Sequence, residues 1–453
     1  MKSLISLSIL CIALLMHPPH TIHLKDSSCN TLSAEITPYV NGEVILKLKC
    51  SIMEDLLSEI LSTHSLMKIC RVDALENVYK VNLPDGVDPV EISKRWEENP
   101  FVEWAEPNYI YRIDTKPNDK AFSLQWALSR ICAPDAWSIE TGDPDVTIAV
   151  IDTGIDYDHP DLESNIWTNP REDLDGIDND GNGYVDDIHG WDFVENDNDP
   201  FDDNGHGTHC AGIIGAVGNN EIGISGLCWR CKIMPIKCFN SLGYGDALNI
   251  SRGIRYAVDN GADVISMSWG STIPSNLIRD AIEEAHERGV ILVAAAGNYN
   301  STMKVYPAAY KDVIAVAATD KNDKRANFSE YGYWIDVSAP GVDIYSTLPN
   351  DNYGYGKGTS MACPFVASLA ALIKSKYKDA TNEQVESIIN SAVDRVNSRV
   401  YIGTGRINAS KALRLYPTTA KIYSPCAGDV VRGDIIAIIG TAERNYTLSY
   451  GKG

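Results

Sequence analysis

Four residues of this chain, brought together, would suffice to cleave an amide. Asp152 follows the apolar run VTIAVI (146–151) and precedes Thr153-Gly154. His206 opens HGTH (206–209) after a glycine-rich acidic loop. Asn298 follows VILVAAA (290–296) and Gly297, and Ser360 stands in Gly358-Thr359-Ser360, four residues ahead of Pro364. A serine hydroxyl is a weak nucleophile and needs a base to take its proton. Histidine is the natural base near neutral pH, and a buried acid holds it in one tautomer. The oxyanion formed needs donors already aimed at it. The Ser360 N–H, at a helix N-terminus, can be one such donor, and the Asn298 side-chain amide can be another.

These residues need a scaffold that gathers them at one edge. VTIAVI, KIMPIKCF (232–239), DVISMSW (263–269), VILVAAA and VIAVAA (313–318) read as fully buried strands. Helical stretches such as Ala247–Asn260 and Asn276–Arg288 lie between several of them. Continuous apolar strands alternating with amphipathic helices predict an α/β fold: a mostly parallel sheet with helices on both faces. Ligands of such sheets bind at the carboxyl ends of the strands, where Asp152 and Asn298 fall. Pro364 is expected in the first turn of the serine-bearing helix, where a missing N–H costs nothing.

IDTGID (151–156), NGHGTHCAG (204–212), AAAGN (294–298) and GTSMACP (358–364) together resemble the four signature blocks of the subtilisin family, in the family's order Asp, His, Ser. The resemblance runs from about residue 120 to YIGTGRINA (401–409). It implies a subtilisin-like serine endopeptidase in which Asp152 orients, His206 is base and then acid, Ser360 attacks and Asn298 completes the oxyanion hole. His209 is the rival base but falls three residues into the helix, and His159 reads as a structural loop histidine. By the same resemblance an extended peptide lies between Gly243–Gly245 and Ser268–Gly270, pairing as a strand with both. Ser268–Gly270 with Trp269, Ala295–Gly297 and Val305 wall the primary pocket. Val305 stands where relatives often carry glycine, so the pocket is expected to be shallow and to take medium-sized apolar residues. Ala247, Ile250 and Trp269 line a second apolar pocket. Protein or peptide substrates follow, acted on by a monomer. Two other readings are a silent calcium-binding surface protein on the same scaffold and a narrow-specificity processing protease; the intact set of four argues against the first.

Within DLDGIDNDGNGYVDD (173–187), Asp178, Asp180 and Asn182 alternate, and Gly183 and Tyr184 precede Asp186. Oxygen ligands at every second position, with glycine allowing the turn, can wrap a hard cation, so calcium is expected here. Where an EF-hand places its bidentate glutamate this chain has His189. The family resemblance implies a second calcium site on the 218–224 loop, with Asn220, the carbonyls of Gly218, Ile222 and Ile224, and Asp161 with Asp119. Asn196–Asp203 is a third acidic run.

Lys and Arg number 39 against 61 Asp and Glu, a net charge of −22 that disfavours a nucleic-acid partner. The apolar run Leu4–Met16 is too short to span a bilayer and reads as the core of a signal peptide over residues 1–23, implying secretion and no stable membrane insertion. Residues 24–115 contain a small α+β unit with the order β-α-β-β-α-β, a ferredoxin-like pattern whose first helix is expected at Ile52–Leu61. Placed before the catalytic region, it resembles the family's inhibitory propeptide, which would be an intramolecular inhibitor cut from the enzyme by itself between Tyr111 and Asn118. The catalytic domain then covers 116–416. Residues 417–453 read as the opening of a β-sandwich module. Export permits disulfides, and one bridge among Cys228, Cys231 and Cys238 is expected.

Overall fold

The computed structural model describes residues 12–15, 39–49, 68–72, 75–84, 86–110, 116–418, 420–424 and 435–442. The chain divides into one unit over Cys29–Ile113 and another containing Asp114–Gly453. The expected helix Ile52–Leu61, the segment 111–115 and most of residues 1–38 and 425–453 lie outside the described residues. Ile12–Leu15, within the apolar N-terminal run, pair antiparallel with Ile435–Ile438, whose strand Ile435–Ala442 also pairs with Ala420–Ser424.

The smaller unit is built on β1 (Tyr39–Leu48), β2 (Lys68–Arg71), β3 (Val78–Asn82), α1 (Pro89–Glu97) and β4 (Val102–Tyr109). Its antiparallel sheet has the order β2-β3-β1-β4. Val44, Leu46 and Leu48 alternate toward one face of β1, and Ile92 and Trp96 of α1 close the core over them. The start of α1 was legible from Asp88-Pro89: the Asp88 carboxylate accepts from Val90 N at 2.9 Å, and proline at the first helical position gives up no bond.

The larger unit holds a nine-stranded sheet. Its strands are β5 (Thr147–Asp152), β6 (Trp191–Asp192), β7 (Lys232–Lys237), β8 (Val264–Met267), β9 (Ile291–Ala295), β10 (Ile314–Thr319), β11 (Val337–Pro340), β14 (Val393–Asp394) and β15 (Arg406–Ile407). The order is β14-β15-β11-β10-β9-β8-β5-β7-β6, parallel throughout except for β14 against β15. Ile148 and Val150 face one core while Ala149 and Ile151 face the other, so both sides of β5 are dry, as its unbroken apolar run requires. Helices α2 (His206–Gly215) and α5 (Thr359–Lys376) cover the first side. Helices α3 (Ala247–Asp259) and α4 (Asn276–Glu287) cover the second. A hairpin of β12 (Ile344–Leu348) and β13 (Asn352–Gly356) stands beside α2, and α6 (Asn382–Ser391) follows α5.

The expected disulfide is not formed: Cys228, Cys231 and Cys238 are all free and buried. Cys238 packs on the α3 side of the sheet and the other two on the α2 side, so the sheet separates them. Cys231 Sγ is directed instead at the Cys228 carbonyl, 3.5 Å away.

Candidate active site

Asp152 ends β5 and His206 begins α2, and the sheet edge brings them together. His206 Nδ1 lies 2.7 Å from Asp152 Oδ1, which also accepts the Thr153 N–H at 2.8 Å. Asp152 is buried and the imidazole is half-buried. Burial disfavours the charged ring, but the adjacent Asp152 carboxylate outweighs it, so the His206 pKa sits above the ordinary histidine value.

A residue that motif reading passed over fixes this pair. Asp202 is buried, and its carboxylate accepts from Thr153 Oγ1 (2.8 Å), Asn204 N (3.0 Å), Gly205 N (2.8 Å), Thr208 N (2.9 Å) and Thr208 Oγ1 (2.6 Å). It thus ties the loop after Asp152 to the first turn of α2. Glycine at 207 permits the approach, since a Cβ there would lie 2.0 Å from the Gly154 carbonyl. In sequence Asp202 is one acid among many, with nothing to mark it.

Ser360 is the second residue of α5. Its Oγ donates to the Ser268 carbonyl at 2.9 Å, on the rim of the same cleft. Pro364 lies in the second turn of α5, not the first as expected, so it withholds the N–H that Ser360 O would accept. Ser268 Oγ takes that place, donating to Ser360 O at 2.9 Å, with Cys210 Sγ at 3.5 Å. Cys210 and Cys363 are free and fully buried beneath the site. Asn298 Oδ1 accepts from Thr359 N (2.9 Å) and Thr359 Oγ1 (3.1 Å), and Thr359 Oγ1 accepts from Gly297 N (3.0 Å). That network fixes the flip of the amide and leaves Nδ2 as its free end, beside Gly358.

The rival histidines are structural in their contacts. His209 is buried with Nε2 3.2 Å from the Ile344 carbonyl, and burial followed by the charge of His206 pushes its pKa down to about 4. His159 Nδ1 accepts the Asp161 N–H at 3.1 Å and its ring meets Tyr353 edge-on.

A cleft of about 580 Å³ opens from Asp152 and His206. Of the expected substrate residues, Gly243, Gly245, Ala247, Ile250, Ser268, Trp269 and Gly270 line it, joined by Ile273, Ile278, Tyr306 and Tyr310. Trp269 does both things a tryptophan there could do: its ring borders the cleft while Nε1 donates to the Ile151 carbonyl at 2.8 Å. Gly297 and Val305 do not line this cleft. Val305 is buried, and Cβ atoms at Gly270 and Gly297 would lie 2.5 Å and 2.8 Å from its two methyl groups. It therefore fills the space between the two glycines.

In the acidic loop, oxygens of Glu172, Asp178 and Asp180 lie within 4.8 Å of one another. Glu172 precedes the repeat and was not anticipated; its Oε2 is buried without a hydrogen-bond partner. Asp186 does not join them, because its carboxylate accepts from Asp175 N (3.0 Å) and Gly176 N (2.9 Å). The Asn182 amide N reaches Asp187 Oδ2 at 3.1 Å and its oxygen takes Tyr184 N at 2.8 Å. The Tyr184 ring packs on Trp191 and Tyr256. At the second expected site, Asp161 and Asn220 do meet: Asn220 Nδ2 donates to Asp161 Oδ1 at 2.8 Å, and Asp161 Oδ2 accepts from Ile224 N at 2.7 Å. Asn220 Oδ1 accepts from Ile222 N at 3.0 Å, and Asp119 Oδ2 from Asn219 N at 2.8 Å.

Residues 143–423 match the subtilase family. The chain is 37% identical over 384 residues to a thermophilic serine proteinase of Bacillus sp. (strain AK1), covering 84% of this chain and 90% of that protein. The chain belongs to the subtilase family. With it, the chain falls among the serine-type endopeptidases. Thermitase of Thermoactinomyces vulgaris is 41% identical over 300 residues, 66% of this chain and 99% of thermitase. Among solved structures, a protease of Pseudoalteromonas arctica PAMC 21717 superposes with a TM-score of 0.57 at 33% identity, over 66% of this chain and 98% of that one. As in subtilases, the described sheet is mostly parallel and covered by helices on both faces. Among the described residues, no helix is long and apolar enough to cross a membrane.

Proposed function

We propose that this subtilase hydrolyses peptide bonds through Asp152, His206 and Ser360, with Asn298 and the Ser360 N–H as oxyanion donors. The Asp152–His206 contact at 2.7 Å, at the mouth of a cleft shared with Ser268, carries the reading. His206 takes the Ser360 proton as Oγ bonds to the substrate carbonyl carbon, and the oxyanion forms between Asn298 Nδ2 and the Ser360 N–H. His206 then gives the proton to the departing amine, leaving an acyl-enzyme that water, activated by the same ring, hydrolyses. A fluorophosphonate should form one covalent adduct, at Ser360, that does not form on protein denatured beforehand or on the Ser360→Ala variant; labelling elsewhere, or none, overturns the assignment.

The substrate runs extended between Gly243–Gly245 and Ser268–Gly270. Val305 restricts the residue before the scissile bond to a small or medium apolar one. Val305→Gly should raise kcat/KM at least about tenfold for a peptide with phenylalanine there, relative to one with alanine, because the two glycines then wall an open slot. An unchanged ratio would remove Val305 from the pocket.

The acidic residues can hold a metal, and calcium suits them. Glu172, Asp178 and Asp180 are all hard oxygen donors, and the buried, unpartnered Glu172 Oε2 fits a cation ligand. Asp161, Asn220 and the carbonyls of Ile222 and Ile224 form the second site. Calcium there would tie loops down without entering the reaction. Since binding only to the folded state stabilises it by mass action, chelation should lower Tm, and calcium should restore it better than magnesium. Alanine at Glu172 and Asp178 should abolish part of that shift; a Tm indifferent to excess chelator would contradict the calcium sites. The chain is further read as a secreted zymogen, with residues 1–23 as signal peptide and 24–115 as a self-cleaved inhibitory propeptide. The four-stranded antiparallel sheet before the catalytic unit supports the propeptide reading.

A further inference from the structure

Glu330 brackets Asn298 on both sides. Its own N–H donates to the carbonyl of Gly297 at 3.2 Å, the residue before Asn298. Its carboxylate Oε2 accepts the N–H of Tyr299, the residue after, at 2.8 Å, and Oε1 accepts from Ser301 Oγ at 3.2 Å. Neighbouring bonds extend the clamp: Asn300 N to Phe328 O at 2.7 Å and Tyr331 N to Ser301 O at 3.0 Å. The side chain is fully buried although Asn298, Tyr299 and Asn300 are exposed. A carboxylate withdrawn from water beside an exposed turn is costly unless its hydrogen bonds hold something in place. What these bonds hold is the backbone of the residue whose amide faces the oxyanion. The turn has no regular secondary structure of its own to fix it, since β9 ends at Ala295.

We propose that Glu330 is a positioning residue for oxyanion stabilisation, setting the backbone from which Asn298 Nδ2 reaches the substrate. This rests on the reading of Asn298 as an oxyanion donor. The donor must be aimed before charge develops, and a displacement of about 1 Å is enough to cost up to about 100-fold in rate. Burial, the largest influence on Glu330, raises its pKa despite the N–H and O–H donors around it, as for a carboxylate kept dry by its surroundings.

The test is a double-mutant cycle on the full chain with a peptide substrate. Glu330→Ala should lower kcat by about 10- to 100-fold with KM changed less than about twofold. In the Asn298→Ala background the same change should cost less than about threefold, because the donor it positions is gone. Glu330→Gln, which can still accept from Tyr299 N and donate to Ser301 Oγ, should recover most of the rate. Should the alanine variant fail to fold, Glu330→Asp, which keeps the charge but shortens the reach, gives the same comparison. An unchanged kcat, or an equal loss in both backgrounds, overturns the inference. If Asn298→Ala alone left kcat intact, the oxyanion reading itself would fall; if Asn298→Ala lowers kcat and Glu330→Ala does not, only the role of Glu330 falls.

Discussion

Ser360→Ala should remove essentially all peptidase activity, about a millionfold in kcat, while the protein folds as before. That magnitude is the one seen in subtilisin itself, a relative of this chain. The loss is total in effect because the alternative nucleophile, water, has no hydroxyl held at the site of attack. Ser360 Oγ donates to the Ser268 carbonyl at 2.9 Å, so under the proposed mechanism attack requires it to turn toward His206. The structural cost is small. Alanine removes that one hydrogen bond, worth about 0.5–1.5 kcal/mol. The bond from Ser268 Oγ to the backbone carbonyl of residue 360 is kept, and with it the start of α5. If the chain is the self-processing zymogen proposed above, a precursor carrying the substitution should also persist at full length, whereas the wild type should shorten to a fragment beginning near Lys116. Retention of even a few percent of turnover, or processing of the purified variant at the same bond, would sink the respective claim.

The positions of the proposed catalytic residues were legible in the chain because they sit where the strand pattern breaks. VTIAVI and VILVAAA are apolar on both faces, so they had to be interior strands, and Asp152 and Asn298 at or just beyond their ends had to lie on one edge. What stayed hidden was hydrogen bonding across long loops. Asp202 and Glu330 are single acids without a motif, and their meaning comes only from which N–H groups surround them once folded. The arrangement of the acidic loop was hidden for a similar reason. Alternation brings Asp178 and Asp180 near one another, but it carries no information on the direction of closure, and Glu172 enters from before the repeat while Asp186 turns to cap Asp175 and Gly176. Pro364 was expected in the first turn, but α5 starts at Thr359, where Gly358-Thr359-Ser360 placed it, and the sixth residue of a helix of about 3.6 residues per turn falls in its second turn. Short strands such as Trp191–Asp192 and Arg406–Ile407 have two residues each, too few for any period to register.

The bond that Asn298 accepts from the Thr359 N–H is a tertiary cap on α5, so under the proposed mechanism Asn298 has two separable duties, and their separation makes the second large effect informative. The side-chain oxygen takes the Thr359 N–H at 2.9 Å, as a cap on the helix that presents Ser360, and so aims Nδ2 away from Thr359 toward the space beside Gly358. Asn298→Ala should lower kcat by about 10²–10³, with KM nearly unchanged, because the lost donor acts on charge that exists only in the transition state. This range too is that of a subtilisin. The same substitution should cost about 1 kcal/mol of stability through the lost cap. Asn298→Asp tells the two apart. A carboxylate still accepts from Thr359 N and is favoured at a helix N-terminus, so stability should return to that of the wild type. It cannot donate, and its charge opposes the oxyanion, so kcat should fall at least as far as in the alanine variant. Steady-state kinetics and thermal unfolding on the two variants measure both. A loss confined to KM would remove Asn298 from the oxyanion hole, and an aspartate variant as active as the wild type would show that Thr359, not the substrate, is the only partner the amide serves.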